Sequence, residues 1–243
     1  MTASAPSSTH DQALLRLLTT TQVNAIPDVI ALMEAIDNLL PGNDGLKWFN
    51  LLYLKVTQQV QVPPGGWQDP AWLDHLDVTF ARLYFQALIG WLQGAGNVPD
   101  SWKALLESRF LQNIDRIQFA LAGMNAHINH DLALALLQTD ADLNVVPLKQ
   151  SPEHNDFEQV NSLLETVLPQ ALQFLATGII GELAQDTGKI GRLLAIWNVA
   201  AARDLAWDFA DHLRSLPPLN RDVAMAAQDQ VTGVLGRSLL LPV

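Results

Sequence analysis

The chain has no cysteine, so disulfides, thiolate metal sites and a cysteine nucleophile are all excluded, and nothing in that count calls for an oxidising compartment. Charge is sparse, at 16% of residues, and short of one sign: 14 Lys and Arg against 25 Asp and Glu leave a formal charge of -11, with no basic run. Such a field repels phosphate backbones and anionic lipid surfaces, so nucleic acid and membrane are not expected partners. Long hydrophobic runs are missing too. Leu132 to Leu137 and Leu239 to Val243, among the longest, fall far below the roughly 20 apolar residues that a bilayer span needs. Met1 to Asp11 lacks the basic flank and apolar stretch of a secretory signal and reads as a polar tail, disordered over residues 1–10, which makes the cytoplasm the expected location. Also absent are a Gly-rich phosphate loop, a nucleophile elbow, a Ser placed beside a His as in a triad, the two-histidine zinc motif with Glu after the first His, and the Glu-x-x-His pair of di-iron bundles. Nucleotide hydrolysis and serine chemistry therefore find little support.

What remains is a chain of 243 residues, 49% of them hydrophobic, with no internal boundary: enough for one large core. Apolar residues recur at helical spacing almost throughout, and strand-like alternation is hard to find over more than four residues. The expectation is an all-α fold, a single-domain bundle of about eight helices over residues 11–243, packed around a buried central helix. Helices are expected near Val23 to Leu40, with Pro27 in the first turn, from Asp44 to a stop at Pro63-Pro64-Gly65-Gly66, and from the Asp69-Pro70 cap to Leu92. Others follow from about Pro99 to Phe110, Gln112 to Gln138, Asp156 (with Gln159 as a capping box) to Gln185, Lys189 to Leu216 and Asn220 to Leu239, with Thr139 to Pro152 as an irregular connection.

The expected central helix is apolar on every face from Ile117 to Leu137, so the polar residues within it are expected to be buried as well. Asn125 and Asn129 share one face; His127, His130 and Asp131 converge on roughly the opposite one. A buried polar group without a partner costs about 1 to 3 kcal/mol, so five in seven residues must belong to a hydrogen-bond network, a metal site or a wet cavity. His127 and Asp131 at i,i+4 can clasp a divalent metal, with His130 one turn on and His154 as a remote ligand, although a solvated loop residue is the more usual reading of such a His. Without a metal, His127 is a general acid or base oriented by Asp131, and the two asparagine amides hold a carbonyl or oxyanion. Fully satisfied, the same residues would simply fix helix register.

Three further residues enter as substrate-contact candidates. Asp77, in the run Leu76-Asp77-Val78-Thr79-Phe80, either points inward toward His127 or pairs with Arg82. Arg203 either binds an anionic substrate group or serves as a structural ion-pair partner, and Trp197 can wall a pocket or fill the core. The sequence names no cofactor and no oligomeric state.

The stretch Gly123-Met124-Asn125-Ala126-His127-Ile128-Asn129-His130-Asp131-Leu132 resembles the signature of a mainly bacterial family of all-helical proteins catalogued as a domain of unknown function. Further matches lie in Trp48-Phe49-Asn50 with Tyr53-Leu54, Leu76-Asp77 with Phe80-Ala81, Gln118 to Ala122, His154 with Asp156-Phe157 and Val160-Asn161, and Trp197 with Arg203-Asp204 and Trp207. The resemblance implies an all-helical fold and supports the choice of residues; it supplies no reaction. The expected function is a small-molecule enzyme using acid/base chemistry (cyclisation, isomerisation, elimination or hydrolysis) centred on His127 and Asp131 and open to metal assistance. The alternative is a non-catalytic ligand-binding or interaction module.

Overall fold

A computed structural model describes residues 9–60, 66–177 and 198–242, and these are helical with short connections and no strand. We number the helices α1 (Thr9–Thr20), α2 (Ile26–Leu39), α3 (Gly45–Val60), α4 (Pro70–Leu92), α5 (Asp100–Ser108), α6 (Arg116–Ala126), α7 (Leu132–Leu143), α8 (Pro152–Thr177), α9 (Val199–Ser215) and α10 (Pro218–Leu239). A π-helical turn, His127–Asp131, joins α6 to α7 without a break. None of the described helices is long and apolar enough to cross a membrane.

The starts follow from side-chain chemistry. Asp69 accepts from the Trp72 amide with Pro70 at the first helical position, and Asp44 accepts from Leu46 N at 3.0 Å, so in each of two first turns a free N–H group is satisfied by the cap that the sequence predicts. Asp44 also takes the guanidinium of Arg109, at the end of α5, which reaches Asp11 of α1 as well; one buried ion cluster thereby ties three segments together. On α3, Leu46, Phe49, Leu52, Tyr53 and Val56 form the expected inward face.

The long α6–π–α7 rod is the axis of the molecule. Every residue from Ile117 to Ile128 is buried, and α3, α4, α5, α8, α9 and α10 all pack on the rod. This is the buried helix expected from the all-round apolar pattern, but it begins at Arg116 and ends at Leu143, so the irregular connection is confined to residues 144–151.

Other details differ from expectation. A helix already runs from Thr9, anchored by buried Leu14 and Leu18, so residues 9 and 10 are not part of a tail. Helix α8 starts at Pro152, which leaves Asp156 inside it. Instead of capping, Asp156 accepts from the backbone amides of Gln68 and Asp69 at 2.8 and 2.6 Å and fixes the entry into α4. The expected tail over residues 1–8, the stop at residues 63–65, the extension of α8 to Gln185, the start of a helix at Lys189 and the side chain of Trp197 lie outside the described residues.

Candidate functional site

The polar cluster of the central rod divides into two networks, as the sequence pattern predicts. On one side Asn129 Nδ2 donates to Asn125 Oδ1 (2.9 Å), Asn125 Nδ2 donates to the Thr232 carbonyl (2.9 Å), and Gln228 Nε2 donates to the Asn129 carbonyl (2.9 Å). These bonds lock α10 to the rod. They use one hydrogen of each amide nitrogen, and each NH2 keeps a second.

On the other side three donors converge on Asp131, which is 2% exposed. His127 Nδ1 lies 3.0 Å and Trp102 Nε1 2.9 Å from Oδ2, and His130 Nδ1 lies 2.8 Å from Oδ1. The π turn makes this possible. Closing the ring over five residues, with the Leu132 amide bonded to the His127 carbonyl, gathers His127, His130 and Asp131 into one widened turn. Such turns recur at functional sites.

Burial pushes the Asp131 carboxyl up, but the hydrogen bonds from His127 and His130 outweigh it and hold its pKa below the ordinary value. An ionised carboxylate only accepts, so each imidazole presents Nδ1–H to it and turns Nε2 elsewhere. The two rings are driven apart. For His127, burial dominates over Asp131 and lowers the pKa, which keeps the ring neutral. For His130, burial works the same way but is overcome by the hydrogen bond and charge of Asp131 and by Asp229, whose Oδ1 is 3.7 Å from Nε2, so its pKa rises.

His127 sits inside an aromatic cage. Phe80 stacks on it with centroids 3.5 Å apart and planes 3° from parallel, Tyr53 meets it edge-on at 4.5 Å, and Phe49, Trp102 and Tyr84 stand at 5.8, 6.0 and 6.3 Å. The residue is 1% exposed, and its Nε2 has no hydrogen-bond partner among the described residues. His130 and Asp131, by contrast, line a cleft of about 220 Å³ whose other walls include Leu83, Ala87, Val98 and Leu134. A larger cleft of about 680 Å³ lies between the start of α2 and α4. It touches none of the clustered residues, and its His75 and Arg82 are engaged by Asp142 and by the Val23 carbonyl, so we place the site at the smaller cleft.

The remaining candidates lie elsewhere around the rod. Asp77 points one carboxylate oxygen, Oδ2, into a solvent-free position without a hydrogen-bond partner, and burial, moderated by the charge of Arg203, raises its pKa to about 7. It makes no salt bridge to Arg82. Arg203 is buried, donating from Nε to Asn161 at 2.7 Å and from an Nη to the Phe157 carbonyl at 3.1 Å, with its guanidinium 4.2 Å over the Phe157 ring. Burial lowers its pKa to about 10. His154 stands edge-on to Trp207 at 4.7 Å, with Nε2 3.7 Å from Glu158. That contact puts His154 at the α8–α9 packing, and among the described residues no three His, Asp or Glu side chains come together as a metal site. The three-ligand arrangement of His127, Asp131 and His154 is therefore not assembled.

Trp102 and Asp229 stand beside these residues and are not singled out by the sequence, and Tyr53 and Phe80 enter it only as positions of the family resemblance, without a site role. The aromatics have the helical spacing of ordinary core residues, and Asp229, which also accepts from the Asp100 and Ser101 amides at the start of α5, looks like any polar residue of an amphipathic helix. No curated protein and no solved structure matches the chain significantly. The profile of a family of unknown function (DUF5995) matches residues 26–242, a span that takes in the Asp131 network, the aromatic cage and the cleft, and the chain belongs to that family.

Proposed function

We propose that the protein is a small-molecule enzyme working by acid/base chemistry at the paired histidines of Asp131. One observation carries the reading: a single buried carboxylate anchors two imidazoles whose pKa values are displaced in opposite directions, and the one displaced upward, His130, lines a cleft. Two titratable groups separated in this way are the arrangement by which one site supplies an acid and a base together. His130 is the proton donor at the cleft, His127 the neutral base, and Asp131 the group that fixes both tautomers. The cleft's largely apolar lining suits a small organic substrate, and isomerisation, elimination, cyclisation and hydrolysis all use such a pair.

The test is turnover of a panel of small esters, lactones, enolisable ketones and alcohols by wild type, His127→Gln and His130→Gln, with melting temperatures taken alongside. The expected outcome is turnover of at least one compound class, reduced about 100- to 10,000-fold in each variant while both remain folded. Unchanged turnover in both folded variants, or none by wild type across the panel, counts against the reading.

The enclosure of His127, 1% exposed within five aromatic rings, favours a second reading: a non-catalytic binding or interaction module in which the Asp131 network holds the core together. On that reading the variants lose stability and change no chemistry.

A further inference from the structure

Helix α10 carries its side chains the wrong way round for an outer helix. Much of its inward side is small or polar. Gly233 and Gly236 lie so close to α5 that a Cβ there would stand 2.8 Å from the Asp100 carbonyl oxygen and 2.9 Å from the Ala104 side chain. Gln228 donates to the Asn129 carbonyl, and Asp229 accepts from the Asp100 and Ser101 amides. The large apolar residues point out instead: Leu219, Val223, Val231, Val234 and Leu235 are 44% to 73% exposed, with Ala226 and Ala227 exposed between them. At about 100° per residue these seven fall within about half of the helix circumference. A helix with an apolar outer face is ordinarily covered on that side as well.

The size of the face sets what can cover it. Taking about 100 Å² for a whole Val or Leu side chain, roughly 400 Å² of apolar surface stands open on α10, the scale at which an exposed patch marks an interaction site. Two such faces, in a homodimer interface about 65% apolar, correspond to about 1,200 Å² of buried surface, where stable interfaces begin.

Charge chooses the partner. The exposed charged residues of α10 are Asp222 near its start and Arg237 near its end, on the same edge of the apolar face. Their midpoint falls between residues 229 and 230, about 11 Å of helix from each. Turning a second copy of the helix about a two-fold axis at that midpoint sets Asp222 against the second copy's Arg237, and Arg237 against its Asp222. In the same register the small Ala227 comes opposite Val231 to within a residue. Parallel pairing would set acid on acid and base on base, which is repulsive. We infer that the outer face of α10 is the interface of a two-fold homodimer, in which two copies of this helix pack antiparallel about the point between residues 229 and 230. Such an interface is isologous, the same patch serving both subunits. Arg237 also lies 3.6 Å from Glu107 of its own chain, which holds it at that edge. Since Gln228 and Asp229 reach the π turn and His130 from the inward side, the pairing covers the back of the helix that supports the site.

The experiment is sedimentation equilibrium of the full chain over about 1 to 100 μM, with circular dichroism confirming that each variant is folded. The expected result is a reversible dimer of twice the 26.7 kDa chain mass. Val231→Glu, at an exposed position, is expected to weaken association at least about 30-fold by placing two buried acids at the centre of the interface. Asp222→Arg, which brings like charges together twice per dimer, is expected to weaken it about 5- to 30-fold, and adding Arg237→Asp is expected to restore most of the loss. A monomer throughout the range overturns the inference, whether or not another protein binds α10. So does a dimer that folded Val231→Glu leaves intact, since its interface then lies elsewhere. A dimer that Asp222→Arg does not weaken, or that the exchanged pair does not restore, overturns the antiparallel pairing.

Discussion

Asp131 satisfies three N–H donors with two oxygens while almost wholly buried, and its charge is what both imidazoles orient toward. Asp131→Asn keeps the shape but turns one acceptor into a donor facing another donor. The expected loss of stability is about 2 to 4 kcal/mol by urea denaturation; a variant as stable as wild type would mean the donors are satisfied without the charge. Asp77 makes a separate case. Its carboxyl titrates near 3.8 in an unfolded chain and near 7 in the folded one, so between those values the folded state binds the extra proton. Stability from this group is therefore complete below about 3.8 and declines as pH rises through 7. Asp77→Asn is expected to gain stability relative to wild type at pH 8 and to gain less at pH 5, read from denaturation midpoints at the two values; a difference independent of pH removes the argument.

The π turn is the element on which the site depends, and it is held from outside. Gln228 of α10 bonds the Asn129 carbonyl within it, Trp102 of α5 bonds Asp131, and Phe80 of α4 stacks on His127. Just before it, Gly123 is packed so closely that a Cβ there would lie 2.3 Å from the Phe49 ring, and Phe49 in turn contacts His127, Tyr84 and Trp102. Gly123→Ala is expected to destabilise by about 1 to 3 kcal/mol, with part of the loss recovered when Phe49→Leu is added. Simple additivity of the two substitutions in a double-mutant cycle would show that the close approach is not what matters.

At the scale of the whole molecule, residues far apart in sequence are bonded around one rod. Gln118 of α6 donates to the Leu239 and Leu241 carbonyls at 2.7 and 2.8 Å, Asp229 of α10 accepts from the first amides of α5, and Arg109 joins α5 to α1 and to the start of α3. Early and late segments therefore share one set of contacts, and unfolding is expected to be a single transition in which tryptophan fluorescence and far-UV circular dichroism coincide. Two separated transitions would divide the chain into independently stable parts.

The helical period and the caps at Asp44 and Asp69 were determined by the sequence alone. The all-round apolar pattern of residues 117–137 required a buried helix, Asp69-Pro70 and Asp44 marked helix starts by their own hydrogen-bonding chemistry, and five polar residues between Asn125 and Asp131 announced a network because unpaired burial is too costly. Partner choice was decided by the tertiary structure. Nothing local in His127-Ile128-Asn129-His130-Asp131 specifies a π turn rather than an α turn; the extra residue is accommodated because α4, α5 and α10 close around it. The sequence likewise offered Asp156 as a cap and His154 as a ligand, whereas packing set Asp156 against the entry to α4 and His154 against Trp207. Local pattern fixes which side chains face inward, and only three-dimensional proximity fixes which of them meet.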